Sequence, residues 1–184
     1  MEISSKDQII SYFLSGAKKN VLIGVENEKF LFQKQSNVRA TYLDIKKVFE
    51  ILKKKFGWKE VKENENIVGL KTVGKSISLE PGNQIELSGD KLTNIHEVCS
   101  ESYDFQNKLD QVCKELGLKT ISIGYDPITK LSNAPNNPKQ RYKLMTKEMP
   151  KRGKLSLNMM YQTSGTQINL DYLSEDDFKK KFKI

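Results

Sequence analysis

Three stretches of the chain alternate between apolar and polar positions with a period of two. In residues 76–88, Ile77, Leu79, Ile85 and Leu87 share one parity, while Ser76, Ser78, Glu80, Gln84, Glu86 and Ser88 share the other. In 166–172, Ile168, Leu170 and Tyr172 alternate with Gln167, Asn169 and Asp171. The third stretch, LIGVENEKFLF from residue 22, carries Glu26 and Glu28 two positions apart within an otherwise apolar, β-branched run. Side chains at i and i+2 of a strand point the same way, so each stretch predicts a strand with a face rich in oxygen atoms.

Elsewhere the period lengthens to that of a helix. Ile9, Ile10, Phe13 and Leu14 predict a first helix over 2–15, capped by Ser4 or Ser5. Tyr42, Ile45, Val48, Phe49, Leu52 and Phe56 predict a second, ended by Gly57. Ile95, Val98, Ser102, Phe105, Leu109, Val112 and Leu116 predict a long third over 94–116, with Gly117 as its stop. WKEVKENENIVGLKTVGKS reads as a meander turning at KENEN and TVGKS, and EPGN as a bend between strands 76–80 and 84–88. KTISIGYDP predicts a further strand, and residues 126–140, with three of the five prolines, a long loop. Residues 141–160 predict a helix and a linker, 161–173 a strand, and SEDDFKKKFKI a short helix capped by Ser174 with an acidic first turn. The order predicts an α+β fold, a mainly antiparallel sheet with helices on one side.

Composition and charge narrow the classes of function. With 37% hydrophobic and 29% charged residues, a soluble globular protein is expected. No apolar run reaches the length of a membrane span. MEISSKDQII resembles neither a secretory signal nor an Arg-rich transit peptide, so a cytoplasmic location is expected. The net charge of +8 comes mainly from lysines in short runs such as 53–55 and 179–183. Such runs without interleaved aromatics mark a solvated surface, and no nucleic-acid partner is expected. Cys99 and Cys113 fall on one predicted helix, roughly 21 Å apart at about 1.5 Å per residue, too far to bond to each other.

One oxygen-rich strand face is what water alone would select. Three such faces that avoid lysine, in a lysine-rich chain, call for another cause. Lys29 interrupts the first strand only on the parity opposite to Glu26 and Glu28. Clustered carboxylates with amide oxygens suit a hard divalent cation such as Mg²⁺, which would remove the repulsion between the two glutamates. A phosphate-bearing substrate would then need cationic partners. PKQRYKLM offers Lys139, Arg141 and Lys143, of which Arg141 is favoured for its planar, bidentate fork. There is no Gly-rich phosphate loop and no Ser/His/Asp triad, and His96, the only histidine, reads as a structural residue.

The segments IGVENEKF, LEPGNQIELSG, NIHEVC, LGLKTISIGYDP, PKQRYKLM, MPKRGKLSLNMMYQT and GTQINLDYLSEDDFKKKF occur in this order from about residue 20 onward. Together they resemble the N-terminal part of glutamate–cysteine ligases of the plant and proteobacterial branch. The resemblance implies a glutamine-synthetase-like catalytic fold, a curved antiparallel sheet with helices on its convex side, here incomplete. Residues 1–184 would be a single catalytic-domain fragment, the N-terminal part of a longer family fold. It implies ATP-dependent joining of the glutamate γ-carboxylate to the cysteine amine through a γ-glutamyl phosphate, the first step of glutathione synthesis. Glutamate, cysteine and ATP would be the substrates and Mg²⁺ the cofactor. It further implies Glu26, Glu28 and Glu86 as metal ligands, with Glu80 and Gln84 in the same motif. Gln167 and Asn169 would sit on a strand that helps bind metal and substrate, and Arg141 would face substrate or phosphate. The family usually carries a histidine where Asn27 stands, on the opposite face of the strand from the two glutamates. Its chains are also more than twice as long, so little or no ligase activity is expected of these residues alone. Another carboxylate–amine ligase, or a non-catalytic binding module derived from one, stays open.

Overall fold

The alternating stretches and the helical stripes fold as their periods dictate. The structure is a computed structural model and describes residues 3–183. Helix α1 (Lys6–Ser15) is capped by the Ser5 side chain, and α2 (Tyr42–Phe56) by a reciprocal capping box between Thr41 and Asp44. Gly57 ends α2 in the left-handed region at φ 72°, which costs a glycine little. The strands are β1 (Ile23–Gln33), β2 (Lys59–Glu63), β3 (Asn66–Lys71), β4 (Ser76–Leu79) and β5 (Ile85–Ser88). After them come α3 (Ile95–Glu115), β6 (Leu118–Ile121), α4 (Gln140–Glu148), α5 (Ser156–Gln162), β7 (Thr166–Leu170) and α6 (Glu175–Lys181).

The strands form one open, curved sheet in the order β2-β3-β4-β5-β1-β6, with β7 also paired to β1, and every pairing is antiparallel. The long strand β1 organises it. One edge of β1 pairs with β5 along residues 26–29, and the other is shared by β7 along 23–27 and β6 along 30–33. The face of odd-numbered β1 residues meets the helices: Leu31 joins Ile77, Leu79, Ile85 and Leu87 of the meander against α2 and α3. Ile45, Val48, Phe49 and Leu52 of α2 and Phe105, Leu109 and Val112 of α3 complete that core. Asn27, on the same face, donates to the Ser102 hydroxyl of α3 at 3.3 Å, so its separation from the two glutamates is as its parity predicted.

The opposite face of β1 changes character along its length. Glu26 and Glu28 are followed at the same parity by Phe30 and Phe32, both fully buried. Over them the segment predicted as a long loop and the end of α5 are tied down through Arg39. Arg39, 3% exposed, lies with its guanidinium carbon 4.1 Å from the Phe30 ring centre. It donates to Asp126 at 2.9 Å, to the Tyr161 carbonyl at 3.4 Å and to the Gly82 carbonyl. One side chain thus ties the EPGN bend, the 126–139 segment and the end of α5 over the phenyl rings. Asn137 adds a second tie, donating to the carbonyls of Glu80 and Pro81.

Several expectations shift. Tyr161 and Gln162 close α5 instead of opening a strand, and the strand expected over 119–127 stops at Ile121. The apolar stripe of α1 buries no residue, and Ile95 and His96 are exposed at the start of α3. In β7 all five residues are exposed, Ile168 at 63%, because no helix among the described residues covers its apolar parity. Cys99 is exposed and Cys113 buried, both free, and burial pushes the Cys113 thiol up to about 12. Among the described residues no helix is long and apolar enough to cross a membrane.

The buried pair sets the first expected outcome. Arg39→Met leaves Asp126, 0% exposed, as an uncompensated buried charge and is expected to cost about 3–5 kcal/mol of folding stability. Burial pushes Asp126 up, but hydrogen bonds from Thr129, Arg39 and Ile128 outweigh it and hold its carboxyl below the ordinary value. The contribution of the pair is therefore present above the ordinary carboxylate pKa and lost as pH falls through the depressed one. Urea midpoints at pH 7 and pH 3 should differ more for the unsubstituted chain than for Arg39→Met. Lys179→Met, which breaks only an exposed pair with Glu175, should leave the midpoint unchanged.

Candidate functional site

Antiparallel pairing sets directly opposed residues on the same face of a sheet. Glu28 of β1 faces Glu86 of β5, which faces Ser78 of β4. One pleat along, Glu26 lies between Ser88 of β5 and Gln167 of β7, and Asn169 lies opposite Gly24. Of the residues that the sequence nominates, Glu26, Glu28, Glu86, Gln167 and Asn169 thus come together on one open face, contributed by three strands.

Their hydrogen bonds are local and weak in number. Glu28 accepts from the Gly165 backbone N–H at 2.7 Å, and Glu26 from the Asn169 amide at 3.3 Å, while the Gln167 amide donates to Asn169 at 3.0 Å. Glu86 accepts from the hydroxyls of Ser78 and Ser88 at 3.3 and 3.4 Å. Among the described residues no salt bridge reaches Glu26, Glu28 or Glu86. The electrostatic consequence is large. Burial, then the charges of Glu80, Glu26 and Glu28, push Glu86 up to about 7. Burial also raises Glu28; the Gly165 N–H pulls it back, and Glu80 and Glu26 add to the rise.

Glu80 is close to the other three, sharing the Ser78 hydroxyl with Glu86, but differs in its partners. It accepts from the Ser78 hydroxyl and the Tyr142 hydroxyl, both at 2.7 Å. Lys139 Nζ lies 3.9 Å and Arg141 3.7 Å from its Oε1. With two cations and two hydroxyl donors about it, Glu80 is balanced where Glu26, Glu28 and Glu86 are not. Arg141 stacks on the Tyr142 ring with its side chain 62% exposed at the rim. Gln84 does not reach the face at all. It is buried, and its amide donates to the backbone carbonyls of Met160 and Thr163, which makes it a fastener between β5 and the end of α5.

The donor set fits a hard cation: three carboxylates and two side-chain amides, with unbalanced negative charge. It is not a finished cage. Among the described residues no three His, Cys, Asp or Glu side chains converge as a ready-made metal site. Glu28 and Glu86 would have to turn from their present donors to meet one ion. Sequence reasoning missed Arg39 and Asp126, which hold the covered end of this face. A signal was there: the chain has three arginines among 31 basic residues, so an arginine marks a place where lysine would not serve.

The model of Glutamate-cysteine ligase family 2 (GCS2) matches residues 22–183. Glutamate–cysteine ligase A, chloroplastic, of Oryza sativa subsp. japonica is 39% identical over 181 residues, covering 97% of this chain and 37% of the relative. The chloroplastic enzyme of Medicago truncatula is 40% identical, covering 97% and 36%, and that of Arabidopsis thaliana 38%, covering 97% and 35%. The chain therefore spans little more than a third of the length of the curated relatives it matches. All three are chloroplastic proteins, which overturns the expectation of a cytoplasmic one. That expectation rested on the composition of ten N-terminal residues alone, which precede the segment the family model matches.

The like-charge cluster predicts a pH signature. The folded-state value of Glu86 lies above its unfolded one, so its penalty is absent below the ordinary carboxylate range and fully present above about 7. In metal-free buffer Glu86→Gln is expected to raise the melting temperature at pH 8 by about 2–4 °C, the effect of about 1 kcal/mol in a chain of this size. Near pH 4.5 the gain should vanish. Thermal melts at the two values check it, and a loss of stability at pH 8 would overturn the picture of an unbalanced cluster.

Proposed function

The chain belongs to Glutamate-cysteine ligase family 2, and from that premise we propose that it carries one wall of the active site of an ATP-dependent glutamate–cysteine ligase. The observation that carries the reading is the meeting of Glu26, Glu28 and Glu86 on one sheet face, with no salt bridge to any of them among the described residues. Glu26, Glu28 and Glu86 would hold Mg²⁺, with Gln167 and Asn169 as neutral oxygen donors at the edge. When bound, the metal supplies positive charge against the phosphate oxygens of ATP and the incoming carboxylate.

In the proposed reaction a γ-carboxylate oxygen of glutamate attacks the γ-phosphorus of ATP, and ADP leaves. The cysteine amine then attacks the acyl carbon of the γ-glutamyl phosphate, inorganic phosphate departs, and the amine loses a proton. No covalent bond to the protein is required, in keeping with a face that offers carboxylates and amides but no activated nucleophile. The chain's own part is positioning. Arg141, exposed at the rim, is placed to meet an anionic group of substrate, and Glu80 holds the Tyr142 hydroxyl. The buried Arg39 tie fixes the wall from which α4 projects, and positioning of this kind is where most of the rate of phosphoryl transfer arises.

Two measurements test the reading. Mn²⁺, added as a paramagnetic stand-in for Mg²⁺, should broaden the amide NMR signals of residues 25–29 and 85–88 before all others. Glu28→Gln combined with Glu86→Gln should abolish that selectivity, and uniform broadening of the unsubstituted chain would rule the metal face out. In an assay with Mg²⁺, ATP, glutamate and cysteine, the 184 residues alone are expected to release little or no phosphate, because they match only about a third of the relatives' length. Robust turnover would show that one wall suffices.

A further inference from the structure

The family reading singles out Arg141, yet the more constrained cation is its neighbour two residues earlier. Lys139 is 9% exposed, the most buried lysine of the core-facing surface, and its ammonium makes no hydrogen bond to any described residue. The nearest acceptor is Glu80 Oε1 at 3.9 Å, beyond hydrogen-bond reach and already occupied by the Ser78 hydroxyl. Beneath it lies the Tyr142 ring, with Nζ 5.2 Å from the centre. The position is built. Asn137 anchors the preceding loop to the EPGN bend and accepts the Lys139 backbone N–H at 3.1 Å, and Lys139 itself is the N-terminal flanking residue of α4. Glu63 occupies the first backbone N–H of that helix at 2.9 Å, so the helix end is not the free donor; the ammonium is.

The stem is buried and held in place while the ammonium at its tip still reaches solvent and makes no hydrogen bond to a described residue, so its three donors are open to an arriving acceptor. Arg141 sits beside it with most of its side chain in solvent, where an ion pair is screened and of small worth. We propose that Lys139 is the principal anion-binding residue of this site, its ammonium taking an oxygen of a phosphoryl or carboxylate group between Glu80 and the open carboxylate face. The proposal rests on the ligase reading for the identity of the anion, but not for the existence of the site. Burial lowers the Lys139 pKa; Glu80 and Glu86 work against that fall, and Arg141 adds to it.

The bland alternative is that Lys139 only balances Glu80. Calorimetric titrations of the full chain with inorganic phosphate, Mg²⁺ with ATP, and L-glutamate separate the two. Lys139→Met keeps the stem that packs on Tyr142 and is expected to weaken binding of at least one of these ligands tenfold or more. Arg141→Met should weaken the same ligand less, and Lys139→Arg should retain part of the affinity. Weakening confined to phosphate and ATP identifies a phosphoryl oxygen; weakening confined to glutamate identifies a carboxylate. The proposal is overturned if all three affinities of Lys139→Met stay within twofold of the unsubstituted chain, or if that chain binds none of them. Should Lys139→Met fail to fold, the unsubstituted chain labelled with ¹⁵N-lysine gives the same answer. The Lys139 Nζ resonance must shift on saturation with the bound anion, and an unmoved resonance defeats the proposal. A chain that binds phosphate through Lys139 but never transfers phosphoryl to glutamate would sink the ligase reading and leave the anion site standing.

Discussion

Every part of this structure is arranged around the two-residue period of β1. A strand has only two faces, and β1 pairs along its length with three other strands, so neither its register nor its parity can slip without disturbing all of them. Its odd residues serve the helical core through Leu31 and the Asn27–Ser102 contact. Its even residues are therefore committed to the other side, where Glu26 and Glu28 must stand together. A one-residue slip would drive both carboxylates against α3 and lift Leu31 out of the core. The burial that stabilises the sheet is the same constraint that forces the glutamates into one another's field.

The same parity explains why the site has one open end and one closed end. Beyond Glu28 the even positions become Phe30 and Phe32, too large and apolar to leave in water, and a second layer forms over them. That layer is mostly loop and short helix, with few apolar residues of its own: Tyr142, Met160 and Tyr161 form its buried centre. Arg39 compensates by joining backbone carbonyls and Asp126 across three segments while its flat guanidinium lies on Phe30. A lysine could supply the charge but not a planar fork that reaches three acceptors. From this wall α4 projects, and with it Lys139, Tyr142 and Arg141 arrive beside Glu80. The cations at the rim are thus a consequence of how the buried half of β1 is covered.

What could be read from the sequence was whatever a local period carries. The stripe of α2 and its Gly57 stop, the parity of Glu26 and Glu28, and the polar faces of 76–88 and 166–172 each follow from spacing alone. What escaped was set by contacts distant in sequence. Nothing local marks Tyr161 and Gln162 as the end of a helix rather than the start of a strand; Arg39 and Asp126 hold them, and Gln84 fastens Met160 and Thr163 on either side, all far along the chain. Gln84 shares its motif and parity with Glu86, yet the wall of α5 closes over it and turns it into a fastener. Ile168 and Leu170 alternate as a buried strand should, but alternation reports only that one face is apolar, not that anything in these residues covers it. The compartment was misjudged for a related reason: composition at the N-terminus says nothing of the folded face that the chloroplastic relatives share.

The carboxylates of the open face show why a site of this kind is legible at all. Folding selects against unbalanced like charges, and elsewhere this chain complies: Glu60 has Lys53 and Lys62, Glu101 has Lys75, Asp177 has Lys181. With 28 lysines available by subtraction of its three arginines from 31 basic residues, a counter-ion for Glu28 or Glu86 would have been easy to place. Lysine is instead held back, one pleat away at Glu80, where two cations and two hydroxyls already balance the charge. On the readings proposed above, that separation would leave the unbalanced face to a cation from outside and the ammonium of Lys139, 3.9 Å from Glu80, to an anion. A fixed lysine beside Glu86 would collapse the two into an internal ion pair, more stable in isolation and with no charge left for the metal proposed above. Glu86, disfavoured as an anion by burial and by the charges of Glu80, Glu26 and Glu28, is where a bound cation would relieve the most repulsion.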